Sequence, residues 1–194
     1  MQYFPAFIKI TNQNVLIIGG GNIACNKLEQ LLSYTKNIKV ISPTITDSMN
    51  LLINKNNLKY DKRFYKQDDL ANINIVVVAI NDIPLQKEIY YQSKEYNCLC
   101  NCVDSTQYCD FIFPAFIKKE NLTIAISTGG ISPAFSKYFK IYLEKLIPTN
   151  IDSFLNTLKD YRSTMPKGKQ RMNFLTTEVK KYFKHIGDKT NEIK

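Results

Sequence analysis

The stretch VLIIGGGNIA, from Val15 to Ala24, places the strongest constraint on how this chain can fold. Val15–Ile18 is a short, purely aliphatic run, which is typical of a parallel strand buried on both faces. Glycines follow at once, and the next residues, NIACNKLEQLLSY, space their apolar side chains as one face of a helix does. A strand, a glycine turn and a helix in this order predict the opening unit of a doubly wound α/β domain.

Further strand and helix signals continue this alternation. Strands are predicted over Ile38–Ser42, Ile75–Ile80 and Cys98–Val103, and a helix over Pro84–Lys94. The fold class predicted for this part of the chain is therefore α/β, with a Rossmann-like parallel sheet.

The pattern changes after Asp104. The segments FIFPAFIK and LTIAIST are separated as the strands of a hairpin are, and a helix follows in which Ser132 is the N-cap and Pro133 the first residue. Two more amphipathic helices are predicted from Ile151, with a break near 165–168.

The hexapeptide FPAFIK occurs twice, from Phe4 and from Phe113. Each copy leads through a polar spacer to an apolar run that ends at glycines. Because the residues that follow those glycines differ, we interpret the hexapeptide as scaffold and not as a duplicated site. The first copy is predicted to form an edge strand, and the second copy to begin the hairpin.

Charge and composition limit the classes of partner. Residues 1–115 hold 11 Lys and Arg against 10 Asp and Glu, whereas residues 116–194 hold 15 against 7. The basic second part indicates an anionic partner, although a solvated lysine-rich surface explains it equally well.

No apolar run is long enough for a membrane span, and the first residues lack a signal-peptide pattern. Five cysteines, an odd number, favour reduced thiols in a cytoplasm.

The glycine turn predicts a dinucleotide site, because GGGNIA fits G-x-G-x-x-A between a strand and a helix. Gly19 allows the tight turn and Gly21 lets the backbone approach a pyrophosphate. The N–H groups of Asn22 and Ile23 at the start of the helix are then expected to bind phosphate oxygens. A glycine turn without a ligand is the alternative.

The acidic residue that usually binds the adenosine ribose is missing about 20 residues further on, where the sequence reads KVISPT. Ser42 and the backbone of Pro43 and Thr44 are the predicted neutral contacts. Lys39 leaves NADP open, but no arginine follows to hold a 2′-phosphate. NAD is the predicted cofactor.

Two acids follow predicted strands, Asp82 and Asp104, and ligands of open α/β sheets lie beyond the strand ends. Asp104 could face a nicotinamide and accept a proton, whereas a capping role is favoured for Asp82. Cys98, Cys100 and Cys102 share one face of a strand and are predicted to be core residues, not metal ligands. His185, in a lysine-rich helix, is predicted to be a surface residue, and no metal site is expected.

VLIIGGGNIACNKLEQLL and NCVDSTQYCDFIFPAFIKKENLTIAISTGGISPAFSKYFKIYLEKLIP together resemble the siroheme synthase N-terminal family over residues 2–148. This family comprises precorrin-2 dehydrogenases, some of which are also sirohydrochlorin ferrochelatases. The most specific part is the ordered set V-D, F-I-F-P-A, T-G-G-x-S-P-A and L-E-K-L-I-P.

The resemblance implies NAD-dependent oxidation of precorrin-2 to sirohydrochlorin in siroheme biosynthesis. Fe(II) insertion to form siroheme is a second activity of some family members, and whether this chain has it stays open. The resemblance places the family's essential aspartate on Asp104, and its cofactor contacts on Gly19, Gly21, Asn22, Ile23, Pro43 and Thr44. It also implies a homodimer. The expected domains are an NAD-binding domain over 1–112, a dimerisation and substrate region over 113–148, and a helical region over 149–194. Because the sequence ends at residue 194, no methyltransferase domain is expected.

The eight carboxylates of precorrin-2 and sirohydrochlorin also suit a basic second part of the chain. Two other functions remain open from the residues alone. The first is a non-catalytic module that senses NAD, which needs only the glycine turn. The second is nucleic-acid binding by the basic part, which no recognised motif supports.

Overall fold

The computed structural model describes residues 3–191 and divides the chain into two compact units. The first unit is Met1–Phe113 and the second is Pro114–Lys194. No helix in the described part of the chain is both long enough and apolar enough to cross a membrane.

The first unit is a five-stranded, fully parallel sheet with helices. Its strands are β1 (Val15–Ile18), β2 (Ile38–Ile41), β3 (Lys59–Asp61), β4 (Ile75–Val78) and β5 (Leu99–Cys102). Its helices are α1 (Asn22–Leu32), α2 (Asp47–Asn56) and α3 (Ile83–Glu95), with short 3₁₀ turns at Gln67–Leu70 and Thr106–Tyr108. The strand order is β3-β2-β1-β4-β5. The predicted Rossmann-like fold is confirmed.

The aliphatic strands are buried on both faces because they feed two separate cores. Val15 and Ile17 of β1 pack with Leu28 of α1 on one side of the sheet. Leu16 and Ile18 pack with residues of α3 and β5 on the other side. Successive side chains of a strand point to opposite faces, so a strand with helices on both sides must be apolar at every position.

The sequence did not predict α2 and β3. In α2 only Met49 and Ile53 are buried, so its apolar pattern is weak. The strand β3 has just three residues, KYD, and no apolar run. The ends of α2 do carry a signal, since Thr46 caps its start and Asn57 ends it in the left-handed conformation.

The first FPAFIK copy does not form a strand, contrary to our prediction. Residues 3–10 contain no helix or strand, and Phe4 and Phe7 are 88% and 76% exposed. The next strand in the chain, β1, already pairs with β2 and β4, so it offers this segment no free edge. The second copy does form a strand, which pairs with the strand that follows it in the chain.

The second unit starts with that hairpin, in which β6 (Ala115–Lys118) pairs antiparallel with β7 (Thr123–Ile126). Three helices follow, α4 (Pro133–Leu146), α5 (Ile151–Thr164) and α6 (Lys169–Asn191). As predicted, Ser132 caps α4, and its Oγ accepts from the N–H of Phe135 at 3.2 Å. Helices α5 and α6 contact each other through aromatic side chains, among them Phe154 and Tyr182, whose rings stack.

Candidate active site

The three glycines after β1 have different steric roles. Gly19 has a φ of +124°, and a Cβ there would lie 2.2 Å from the carbonyl oxygen of Ala79. A Cβ on Gly20 would lie 1.9 Å from the carbonyl oxygen of Thr44. A Cβ on Gly21 would meet no atom within 4 Å. The protein's own packing therefore requires Gly19 and Gly20, whereas Gly21 faces open space, as a turn that receives a pyrophosphate must.

The start of α1 is suited to a phosphate. Thr46 and Asp82 cap α2 and α3, but no side chain caps α1. Gly21 occupies its N-cap position, and the exposed residues Asn22 and Ile23 open its first turn. The N–H groups of a first helical turn lack intrahelical partners and carry partial positive charge, so they favour an anion.

The loop after β2 is fixed beside this turn by hydrogen bonds. The hydroxyl of Ser42 donates to the carbonyl of Thr44 at 2.6 Å, and the N–H of Thr46 donates to the carbonyl of Gly20 at 2.9 Å. Because the Ser42 hydroxyl donates its only proton to Thr44, it shapes the loop and can only accept a bond from a ribose hydroxyl. Pro43 and Thr44 are more exposed than Ser42 and line the open side of the loop.

Asp104 follows β5 in an unusual backbone conformation. Its φ is +70°, in the left-handed region that non-glycine residues rarely adopt, and its side chain is exposed. Aspartate tolerates this region better than most residues do. Such conformations concentrate at functional sites, where they direct a side chain that ordinary backbone would turn elsewhere.

A cleft of about 580 Å³ lies at the ends of the strands in the first unit. Its lining includes all eight residues that the sequence nominates, namely Gly19, Gly21, Asn22, Ile23, Ser42, Pro43, Thr44 and Asp104. Sequence reasoning missed Gly20, Arg63, Phe64 and Tyr65, which also line it. The last three follow β3, so recognising that short strand would have been the signal for them. Asp82 lines the cleft too, and its Oδ1 accepts from the N–H of Leu85 at 3.0 Å as the cap of α3.

The volume and the open space over Gly21 fit a dinucleotide. The glycine turn and the start of α1 would hold its pyrophosphate, and the loop after β2 would contact a ribose. The bound nicotinamide would supply a hydride acceptor.

A charged network lies where β2 and β3 end. Arg63 donates two hydrogen bonds to Asp69, at 2.5 and 2.7 Å, and one to Asp61 at 2.8 Å. The Nζ of Lys39 lies 2.9 Å from Oδ2 of Asp61. Burial opposes ionisation of Asp69, but hydrogen bonds from Arg63 and from the N–H of Lys66 keep the pKa of its carboxyl below the usual value. The hydrogen bond from Lys39 is the main cause that lowers the pKa of Asp61.

We expect Asp69→Asn to lower the free energy of unfolding by about 1–2 kcal/mol at pH 7, because it weakens charge-assisted hydrogen bonds. A lowered folded-state pKa stabilises the fold above the unfolded-state value near 4, and this stabilisation is lost as the pH falls through the folded-state pKa. The difference between wild type and variant should therefore shrink towards pH 2. Urea unfolding at several pH values measures it, with the exposed neighbour in Asp68→Asn as the control; a difference that does not change with pH would contradict this prediction.

Cys98, Cys100 and Cys102 are buried core residues, as predicted. The Sγ atoms of Cys100 and Cys102 lie 3.7 Å apart. Burial raises the pKa of Cys98 to about 12, which disfavours the thiolate that metals and electrophiles require. Among the described residues no group of three His, Cys, Asp or Glu side chains is arranged to hold a metal. The side chain of His185 lies outside the described residues.

Comparison with known proteins adds to this geometry. Residues 6–115, more than half of the chain, match the model of a family described as "Putative NAD(P)-binding". The chain belongs to this family. The match supports NAD as the cofactor, as the glycine turn predicts. With the relatives described next, it also confirms the membership of the siroheme synthase N-terminal family that the sequence motifs indicated.

Two similar relatives are siroheme synthases. The one from Pseudoalteromonas atlantica is 33% identical over 183 residues, which cover 94% of this chain and 38% of the relative. The one from Pseudoalteromonas translucida is 29% identical, over 97% of this chain and 37% of the relative. The chain thus spans less than two fifths of the length of these relatives. A solved structure, "SirC, precorrin-2 dehydrogenase", superimposes with a TM-score of 0.75 at 23% identity, over 96% of this chain and 100% of that one, which shows a shared fold.

Proposed function

We propose that this chain oxidises precorrin-2 to sirohydrochlorin with NAD, in siroheme biosynthesis. The observation that carries the proposal is that Asp104 and the glycine turn line one cleft. The carboxylate of Asp104 accepts the proton that the macrocycle loses, and a bound NAD would supply the acceptor for the hydride. The names of the similar proteins support this substrate class.

Each group of site residues has its own role in the cleft. Gly19, Gly21, Asn22 and Ile23 bind and orient the pyrophosphate of the cofactor through backbone groups. Ser42, Pro43 and Thr44 hold the adenosine ribose without a charged side chain. Asp104 is the proton acceptor, at an exposed position that a large macrocycle can reach.

The test is to incubate the protein with precorrin-2 and NAD under anaerobic conditions and follow the absorbance of sirohydrochlorin and of NADH. We expect both to rise together. If NAD binds but neither absorbance rises, the alternative function as a non-catalytic NAD-sensing module gains support. If affinity for DNA or RNA is found and falls steeply with salt, the nucleic-acid function gains support instead.

We extend the proposal to Fe(II) insertion into sirohydrochlorin, with Fe(II) as a substrate and Asp104 taking up the pyrrole protons. The family resemblance supports this activity. An anaerobic assay with sirohydrochlorin and Fe(II) or Co(II) decides it, since the dehydrogenase reaction is not needed. A protein that oxidises precorrin-2 yet inserts neither metal faster than the uncatalysed rate is a dehydrogenase only.

We also propose a cytoplasmic location, because all five cysteines lie in the described part of the chain and are free thiols.

The proposal includes a homodimer formed by the second unit, because the family resemblance implies that residues 113–148 are a dimerisation region. The supporting observation is the apolar surface of α4 and the turn before it. Ile131 is 89% exposed, Tyr138 71%, and Phe135 and Tyr142 are more than half exposed. Apolar side chains clustered in this way on a protein surface usually mark an interaction site.

We expect Tyr138→Asp to convert the dimer to a monomer of 22.4 kDa, because a buried, unpaired carboxylate at the centre of an interface costs several kcal/mol. Sedimentation equilibrium measures the change. Tyr91→Asp, the same change at an exposed tyrosine of α3, should leave the dimer intact. A wild-type monomer at micromolar concentration, or a Tyr138→Asp dimer, would argue against this interface.

A further inference from the structure

The strand order fixes which part of a dinucleotide lies at each end of the cleft. Asp104 follows β5 at one edge of the sheet, the glycine turn follows β1 in the middle, and Arg63 and Phe64 follow β3 at the other edge. With neighbouring strands about 4.8 Å apart, the two edges are about 19 Å apart. A dinucleotide with its pyrophosphate at the glycine turn and its nicotinamide towards Asp104 must extend its adenine towards β3.

Phe64 presents an exposed aromatic ring at that edge. It lines the cleft, yet its side chain is 76% exposed. Aromatic side chains prefer to bury their faces, and the flat face of a nucleobase is a suitable partner because stacking does not depend on which base is present. The following residue, Tyr65, is held differently, since its hydroxyl donates to the side chain of Gln92 at 2.8 Å.

Arg63 fixes the backbone that carries this ring. One guanidinium nitrogen, Nη1, donates to the carbonyl of Phe64 at 3.0 Å and to Asp69 at 2.7 Å. The other, Nη2, donates to Asp69 and to Asp61. Asp69 in turn accepts from the N–H of Lys66 at 2.9 Å, which closes the segment on itself. The ring is thus presented on a pre-organised segment, so little ordering is required when a ligand stacks on it.

The same contacts bear on the choice between NAD and NADP. The 2′-phosphate of NADP usually binds to an arginine near the end of the second strand. Here the guanidinium of Arg63 is already bonded to two carboxylates, which would also repel a phosphate. Lys39, a second cation at this edge of the sheet, is paired with Asp61 as well.

We propose that Phe64 is the platform on which the adenine of NAD stacks, and that Arg63 is the positioning residue that holds this platform and disfavours NADP. This inference rests on the proposed use of NAD.

The test uses ADP-ribose, which has the adenosine half of NAD but no nicotinamide, and isothermal titration calorimetry as a readout independent of turnover. We expect Phe64→Ala to weaken ADP-ribose binding about 10-fold, the loss typical of removing one aromatic partner from a base. Phe64→Tyr should retain the wild-type affinity. Arg63→Lys keeps the charge but cannot donate hydrogen bonds from two nitrogens at once, so it should weaken ADP-ribose binding several-fold. Wild type should bind NADP at least 10-fold more weakly than NAD.

One control separates stacking from indirect effects. Phe7→Ala removes a ring of equal exposure outside the cleft and should not alter ADP-ribose affinity. If wild type binds ADP-ribose and Phe64→Ala binds it equally well, the adenine platform is wrong while the proposed dehydrogenase stands. Equal affinities for NAD and NADP would overturn the role of Arg63. If wild type binds neither NAD nor ADP-ribose, both the inference and the proposed function fail.

Discussion

Asp104→Asn is expected to lower the rate of precorrin-2 oxidation at least 100-fold while the affinity for NAD changes less than 2-fold. General-base catalysis typically contributes factors of 100 to 10,000, and an amide cannot accept the proton. Asparagine matches aspartate in shape and also tolerates the left-handed backbone at this position, so the fold should not change. The rate is measured from the absorbance of sirohydrochlorin at saturating NAD, and the affinity by calorimetry.

Asp82→Asn is the matched control, because Asp82 is the second carboxylate that lines the cleft. Its side chain caps α3, and asparagine caps a helix as well as aspartate does. Activity and stability should therefore stay close to wild type. If Asp82→Asn loses the activity and Asp104→Asn retains it, we have assigned the proton acceptor to the wrong strand end.

Gly20→Ala is expected to destabilise the first unit by about 3 kcal/mol, the upper part of the range for overpacked sites. The added Cβ would lie 1.9 Å from the carbonyl oxygen of Thr44 and 2.8 Å from Ile45 Cγ2 and Ser42 Oγ. The nearest obstacle is backbone, which cannot rotate away as a flexible side chain can. Urea unfolding followed by circular dichroism measures the loss.

Gly21→Ala, one residue further on, should separate folding from binding. Its backbone has a φ of −80°, which alanine adopts readily, and its Cβ would meet no protein atom within 4 Å. We expect stability within about 1 kcal/mol of wild type, but NAD affinity reduced at least 10-fold, because the methyl group occupies the space of the pyrophosphate. A Gly20→Ala protein as stable as wild type would refute the steric argument. Normal NAD affinity in Gly21→Ala would place the pyrophosphate elsewhere.

Local sequence determined the elements whose signal is contained in a few adjacent residues. The aliphatic runs at Val15–Ile18 and Ile75–Val78 could be recognised as doubly buried strands because every side chain in them needs an apolar environment. The glycine turn and the Ser132–Pro133 helix start were recognisable for the same reason, since their backbone chemistry is local. The positions of Asp104 and of the residues 42–44 at strand ends followed from the parallel topology, which places all those ends along one edge.

The tertiary structure decided whatever depends on a neighbour distant in the chain. Two identical FPAFIK segments have different structures: β1, which follows the first copy, already has two partners, whereas β7, which follows the second copy, pairs with it. The requirement for Gly20 comes from Thr44, and the place of Phe64 in the cleft comes from the pairing of the short strand β3 with β2. A sequence shows which side chains must be buried, but steric contacts and strand pairing are made between residues that only the fold brings together.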